Sequence, residues 1–194
     1  MAATFAIDAQ QSIEAGWTGG TERRFYDTVS STKGGYRSTY DIDRSQAHVG
    51  WQGRFEGWRG RVQAYRSEID IVNSASNGVT ATRPQNLLDE VIDGHATVKL
   101  GGHQVTFGGE WRDETLTNAG LTTGRDSATH KALFVQDEVA LGSSLMLTGG
   151  LRADNHELFG SEVSPRAYLV WEASPALVVK GGFGHAFKAP TLKQ

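Results

Sequence analysis

Histidine and carboxylate side chains are the residues of this chain that could bind a metal ion or exchange protons with a substrate. The six histidines are His48, His95, His103, His130, His156 and His185. None of them has the H-x-x-x-H spacing that places two ligands on one helix face. The run Asp154–Asn155–His156–Glu157 could bind iron or zinc, or belong to a hydrolase. Because adjacent strand residues point to opposite faces, we interpret this run as a solvated strand end and predict no metal site.

Other signatures of catalysis and cofactor binding are missing. The chain has no cysteine, so it has no thiolate nucleophile, disulfide or cysteine-bound zinc. It contains no G-x-S-x-G motif, and the glycines of 181–184 lack the G-K-[ST] ending of a phosphate-binding loop. The net charge of −3 disfavours duplex nucleic acid as a partner, because phosphate binding needs a basic face. The sequence therefore predicts no enzyme and no cofactor.

The elements that carry these residues are predicted to be strands. From Phe5 to Trp17 the odd positions are mostly apolar and the even positions mostly polar, and the same alternation returns in 144–154, 166–173 and 177–187. A period of two is typical of a strand, whereas a helix would mix the two sets. No amphipathic helix and no apolar run long enough for a membrane helix is present. The predicted fold class is all-β.

Turn-forming residues divide the chain into about nine long strands. The predicted strands are 3–26, 36–52, 57–73, 87–101, 103–118, 129–142, 144–157, 161–174 and 176–187. Short connections at Gly53–Gly57, Gly101–His103, Gly142–Ser144 and Ser174–Pro175 alternate with longer ones near Asp27–Gly35, Asn73–Asn86, Asn118–Ala128 and Asn155–Ser161. This pattern predicts an antiparallel up-and-down meander with short turns at one end and loops at the other.

Strand length and connection asymmetry favour part of a transmembrane β-barrel. Such barrels have short periplasmic turns, longer extracellular loops and strands longer than the ~5–6 residues usual in globular sheets. Aromatic residues toward predicted strand ends fit the interfacial girdles of these barrels; they are Trp51, Trp58, Trp111, Trp171 and Tyr36. Alternatives are a smaller outer-membrane barrel acting as a porin or envelope enzyme, and a soluble β-sheet binding domain.

Charged residues fall on the predicted inward face of this sheet. They are Asp8, Glu14, Arg59, Arg61, Glu110, Arg112, Arg152, Asp154, Arg166, Glu172 and Lys180. Opposite charges on one face can pair across neighbouring strands, which would suit the polar wall of a barrel lumen. A network that guides a substrate or contacts a plug domain is the alternative, and the sequence does not separate the two.

Two segments resemble a known family. The run Phe134–Asp154 resembles the hairpin of TonB-dependent outer-membrane receptors, in which a strand with a Q-D core precedes a strand ending in G-x-R-x-D. The residues that match this ending are Gly150, Arg152 and Asp154. The family's [FY]-[KR]-A-P-[ST]-L segment is matched by Phe187, Lys188, Ala189, Pro190, Thr191 and Leu192. His103–Leu116 resembles the strands of the family that carry a Gly-Gly-Glu step.

The resemblance implies a receptor of the bacterial outer membrane that imports a scarce nutrient, of the ferric siderophore, haem or cobalamin class. Its implied partners are outer-membrane lipid, the nutrient and the TonB protein, which acts through a plug domain inside the barrel. Because the sequence shows no plug, no signal peptide and fewer strands than the family barrel, we expect residues 1–194 to be a partial barrel domain that does not close by itself.

Overall fold

The computed structural model describes residues 1–30, 32, 34–78, 84–189 and 192. They form one sheet of ten antiparallel strands in which every strand pairs with its sequence neighbours, so the predicted all-β meander is confirmed. The strands are β1 (Ala2–Ala6), β2 (Gln11–Ser30), β3 (Gly34–Phe55), β4 (Trp58–Ala75), β5 (Gln85–Leu100), β6 (His103–Asn118), β7 (Arg125–Ala140), β8 (Leu145–His156), β9 (Gly160–Ser174) and β10 (Leu177–Gly184). Within the described ranges no helix has the length and apolar character needed to cross a membrane.

The prediction of one strand over 3–26 is wrong, because β1 and β2 form a hairpin there. Asp8 lies in the turn between them and accepts hydrogen bonds from the backbone N–H of Gln10 (2.7 Å) and the side chain of Gln11 (2.9 Å). The hairpin pairs Phe5 with Ile13, so odd residues face odd residues on both sides of the turn. Alternation therefore continues through the turn, and periodicity alone could not reveal it. Asp8 is accordingly not an inward-facing strand residue.

The connections predicted at 27–35, 73–86 and 118–128 are shortened, because the strands on either side of them extend further than expected. Asp27 and Arg37, predicted to flank a loop, are strand partners and form an ion pair at 2.9 Å. We call the end of the sheet at 31–33, 76–84, 119–124 and 157–159 the loop end, and the other end the turn end. Gly57 and Gly101 have φ of +82° and +61° in the two-residue turns of the turn end, a conformation that glycine adopts without a Cβ penalty.

The register separates the sheet into two chemically different faces. Directly paired residues share a face, and following the pairs from β1 to β10 places one apolar set together. We call this set the apolar band; its larger members include Phe5, Ile13, Trp17, Val49, Trp51, Val62, Ile92, Phe107, Trp111, Leu133, Val135, Leu147, Leu151, Leu169, Trp171 and Phe183. Many of them are exposed, Leu133 by 72% and Phe183 by 73%. An apolar face of this extent, over which the described residues form no second layer, is what a lipid-facing barrel wall presents.

The outer face changes from apolar to charged toward the loop end. Arg23 pairs with Asp41 at 2.5 Å, and Arg66 pairs with Glu90 at 3.5 Å. These four residues share the outer face with the apolar band but lie beyond it, nearer the loops. The strands therefore extend beyond the apolar band into a charged zone, as expected of barrel strands that are longer than the hydrocarbon layer.

Aromatic residues mark both borders of the apolar band. At the turn end Phe55 stacks on Trp58 with ring centroids 4.5 Å apart, and Trp51 lies 6.4 Å from Trp58. Trp111 lies at the opposite border, because the next residue of β6 on the outer face is the charged Asp113. Tyr36 does not belong to a girdle, because the register places it on the opposite face.

The opposite face, which we call the inner face, holds most of the buried side chains. Its buried apolar residues are Ile42, Val91, Leu116, Ala128 and Ala132. Side chains crowd on the concave side of a curved single sheet and spread on the convex side, so the sheet curls toward the inner face. The polar residues of that face therefore converge.

Candidate functional site

The charged residues predicted to face inward do so, Asp8 excepted. The register places on the inner face Glu14, Arg59, Arg61, Glu110, Arg112, Arg152, Asp154, Arg166, Glu172 and Lys180. They are carried by six strands, from β2 to β10. Side chains alternate between the two faces along each strand. The strands that carry these charged residues on the inner face therefore carry apolar residues on the outer face.

A chain of ionisable side chains in contact crosses the inner face from β6 to β8. His130 binds Asp154 through Nε2 at 2.9 Å and lies 3.7 Å from Glu110 through Nδ1. Arg152 donates from Nε to both carboxylate oxygens of Asp154, at 3.0 and 3.1 Å, and Arg112 lies 3.8 Å from Glu110. Asp154 is only 5% exposed. Both arginine–carboxylate pairs here join residues of one strand, and the contacts between strands are made through His130. Pairing of the predicted charges across neighbouring strands therefore stays a prediction.

The G-x-R-x-D residues contribute to the inner face in two ways: Gly150 leaves space for a neighbouring side chain, and Arg152 forms an ion pair with Asp154. A Cβ on Gly150 would lie 3.0 Å from Nε of Arg166 and 3.3 Å from the carbonyl oxygen of Val135. The absence of a side chain at Gly150 therefore lets the Arg166 guanidinium lie across the sheet and donate to Gln136. Arg152 and Asp154 supply the pair described above.

The second family segment follows β10 and turns back over the inner face. His185 N–H donates to the Pro165 carbonyl at 2.9 Å, and Phe187 shares one pocket with Phe134 and Arg152. Pro190 and Thr191 lie outside the described residues, while Lys188 is exposed and Ala189 half-buried.

The same segment reaches a buried carboxylate four strands away. Leu192 N–H donates to Oε1 of Glu114 at 2.6 Å. Burial raises the pKa of Glu114, an effect that the Leu192 N–H partly opposes by stabilising the carboxylate. Sequence reasoning missed Glu114, since only the folded chain brings it next to Leu192.

The run Asp154–Asn155–His156–Glu157 is divided among separate partners. Asn155 donates to Ser161 Oγ at 2.7 Å, His156 Nδ1 accepts from Leu158 N–H at 3.2 Å, and Glu157 accepts from Thr129 N–H at 2.9 Å. Burial, and next the neighbouring His130, lower the pKa of His156. In the part of the chain that the structure describes, no three histidine or carboxylate groups are placed to hold a metal ion.

An aromatic and cationic patch occupies the inner face at the loop end, and the sequence analysis did not single it out. Tyr26 stacks on Tyr40 with ring centroids 5.6 Å apart and hydroxyls 2.8 Å apart. Glu22 holds two cations beside these rings, Arg24 and Arg44, the latter at 2.8 Å. Arg24, and next Arg44, lower the pKa of Glu22 to about 2. The only signal of this patch in the sequence is that all five residues have even numbers. Even-numbered residues of β2 pair with even-numbered residues of β3, so the five side chains share one face.

This loop-end patch, defined by Glu22, Arg24, Tyr26, Tyr40 and Arg44, can bind a flat anion. Tyr26 is 51% exposed, so its ring face is accessible to a ligand. Aromatic rings stack on one another, and guanidinium groups give charge-assisted hydrogen bonds to anionic oxygens. The patch therefore offers both contacts that an aromatic, negatively charged ligand needs.

Comparison with known proteins gives a consistent set of similarities. The sequence family described as TonB dependent receptor-like, beta-barrel, matches residues 4–194. The iron-regulated outer membrane virulence protein of Vibrio cholerae is 34% identical over 117 residues, which are 58% of this chain and 18% of that protein. The ferric enterobactin receptor PirA of Pseudomonas aeruginosa is 34% identical over 109 residues, 46% of this chain and 15% of that protein. The matched stretch thus spans less than a fifth of these relatives.

Solved structures share the fold. The siderophore receptor PirA of Pseudomonas aeruginosa superposes with a TM-score of 0.76 at 24% identity, covering 98% of this chain and 33% of that one. A mutant ferric enterobactin receptor of the same organism, in complex with enterobactin, gives a TM-score of 0.82 at 17% identity, covering 100% of this chain and 33% of that one. The ten-stranded sheet therefore has the curvature and strand order of one part of these barrels.

Proposed function

The chain belongs to the TonB-dependent receptor family as part of its β-barrel, and from this membership we propose that it forms one side of a receptor that takes up an iron chelate. The relatives it resembles are outer-membrane receptors, and the bacterial outer membrane is its location. The family is one of receptors and transporters, so we propose transport rather than catalysis. The partial barrel domain of 1–194 would act within a longer polypeptide.

The loop-end patch is the observation that carries the proposal. Iron chelates that bind the metal through aryl oxygens are aromatic and negatively charged. The stacked pair Tyr26–Tyr40 offers ring faces, and Arg24 and Arg44 offer cationic donors. The patch lies beyond the apolar band on the inner face, where a ligand entering from outside would first meet the wall.

The remaining partners follow from the same proposal. Outer-membrane lipid would cover the apolar band. Shielding the band from water in any other way would need a second layer, which the described residues do not form. TonB would supply energy through a plug domain carried outside residues 1–194. Residues 119–124 would add to the ligand surface from above. Of the other long connection predicted near Asn73–Asn86, residues 79–83 lie outside the described residues.

Ligand binding by the receptor expressed from its complete gene tests this function. We expect quenching of tryptophan fluorescence by ferric enterobactin at lower concentration than by cobalamin. Replacing both rings (Tyr26→Ser with Tyr40→Ser) should weaken chelate binding about tenfold, because each stacking contact contributes about 0.5–1.5 kcal/mol.

The matched control is Tyr168→Ser, which removes an inner-face tyrosine of β9, far from the patch in the strand order. This change should leave chelate affinity unaltered. Preferred binding of cobalamin would contradict the proposed ligand class, and equal effects of the two sets of substitutions would contradict the proposed site.

A further inference from the structure

Glu22 occupies the arginine donors that an anionic ligand of the loop-end patch would use. Arg24 donates to its carboxylate from Nε and, at 3.1 Å, from Nη2, and Arg44 donates from Nη1 at 2.8 Å. Among the described residues, Glu22 is the one carboxylate that lies within 4.0 Å of two arginines. The cationic groups of the patch therefore already hold an anion that belongs to the chain.

The side of Arg24 that gives paired hydrogen bonds is the side that Glu22 fills. Nε and Nη2 of a guanidinium form a side-on fork that binds two oxygens of one anion at once. Both of these donors are engaged by Glu22. An incoming anion can use the same fork only if the Glu22 carboxylate moves away, so the ligand and Glu22 compete for the same atoms.

Glu22 also sets the net charge of the patch. In the described part of the sheet, the strand next to β3 presents Ile69, Ile71 and Asn73 beside the patch, and none of these is charged. Two arginines and one glutamate leave the patch with one net positive charge, and it would have two without Glu22. The carboxylate therefore opposes an anionic ligand both by contact and by its charge.

The Glu22 side chain has space to move aside. It is 37% exposed, and the next inner-face residue of β2 toward the turn end is Gly20. A Cβ on Gly20 would meet no atom within 4 Å, so the space beside Glu22 is open. The carboxylate can turn into this space while ligand oxygens take its place on the arginines.

We propose that Glu22 is an exchangeable counter-ion of the loop-end patch, which gives up Arg24 and Arg44 to an anionic chelate and takes them back when the chelate leaves. This inference rests on the proposed function, because it concerns the same binding site. In the empty patch, Glu22 keeps both guanidinium groups beside the tyrosine rings. In the occupied patch, its negative charge weakens binding in proportion to the charge of the ligand and favours release.

Binding of two chelates of similar shape and unequal charge to the complete receptor tests the proposal. Ferric enterobactin is a trianion, and the germanium(IV) complex of the same ligand is a dianion, because germanium brings one more positive charge. At 0.1 M salt, removing one negative charge about 7 Å from the chelate should tighten binding about 1.7-fold for each ligand charge. We expect Glu22→Gln to lower the dissociation constant about fivefold for the ferric complex and about threefold for the germanium complex, chiefly through slower dissociation.

The matched control is Asp41→Asn. Asp41 pairs with Arg23 at 2.5 Å on the same two strands, but on the outer face. Removing its charge should change both dissociation constants by less than about twofold, because the charge is farther from the ligand and screened by salt. Glu22→Ala is a second removal of the carboxylate and should also tighten binding, so the test does not depend on the folding of one variant.

Unchanged or weaker binding by both Glu22 variants would overturn the inference, because the carboxylate would then only position the arginines. Equal tightening for the two complexes would overturn it too, since the gain would not depend on the ligand charge. Either result leaves the proposed function standing if Tyr26→Ser with Tyr40→Ser weakens binding. A natural receptor that binds neither complex would instead overturn the proposed function, and this inference with it.

Discussion

Replacing Leu147 with arginine measures whether the apolar band contacts lipid. Leu147 lies on the outer face of β8, paired with Val139 on one side and Leu169 on the other. Its neighbour Thr148 lies on the inner face, between Glu138 and Tyr168. The two positions share a strand and a depth but differ in the face they present.

The depth of Leu147 sets the expected magnitude. The band on β8 runs from Leu145 to Ala153, so its centre is Gly149 and Leu147 is two residues away. At ~3.4 Å per residue and a strand tilt of ~40°, Leu147 lies ~5 Å from the midplane. Arginine costs ~2–4 kcal/mol at the midplane and ~0–1 near the interfaces, so Leu147→Arg should cost about 2 kcal/mol. This corresponds to a change of about thirtyfold in the folding equilibrium constant.

Denaturant unfolding of the full receptor in phospholipid vesicles gives the free energies of unfolding. Thr148→Arg should change the free energy by less than about 0.5 kcal/mol, because its side chain meets water and the Glu138 carboxylate. Leu147→Ala separates lost apolar contact from the cost of charge. Equal losses for the two arginine variants, or a larger loss for Thr148→Arg, would refute the assignment of faces.

Three further outcomes are expected. Gly108→Ala should destabilise the sheet by about 1–3 kcal/mol by overpacking, because the new Cβ would lie 2.3 Å from a backbone oxygen. Gly149→Ala is the control, since its Cβ would meet open space. Similar melting temperatures of the two variants would contradict this prediction. A cysteine at Thr122, in the loop 119–124, should be labelled by an impermeant reagent on intact cells and one at Ser143 should not; the reverse would invert the topology. The Glu22 carboxylate should titrate near pH 2 in carbon-13 NMR spectra, below its ordinary pKa of 4.5. The stabilisation from its ion pairs is therefore fully present above pH 4.5 and is lost as the pH falls through 2. A midpoint near 4.5 would show that Arg24 and Arg44 do not stabilise the carboxylate.

The amino-acid sequence by itself determines the strands and their two faces. Alternation with a period of two is a local property that survives in any strand, so Leu147 and Leu151 could be assigned to one face and Arg152 and Asp154 to the other before folding was considered. The same locality explains the error at Asp8. A hairpin that pairs odd with odd residues leaves the alternation unbroken, and only the pairing of Phe5 with Ile13 discloses the turn.

The tertiary structure decided which residues of a face meet. Contact of His130 with Glu110 and with Asp154 depends on the register of β6, β7 and β8, which fixes partners that are 20 and 24 positions apart in the chain. The loop-end patch arises in the same way, from strands whose polar residues look alike in sequence but pair into different groups. The Leu192–Glu114 contact joins residues 78 apart. Register is set by the summed pairing of whole strands, so no local pattern could predict these contacts.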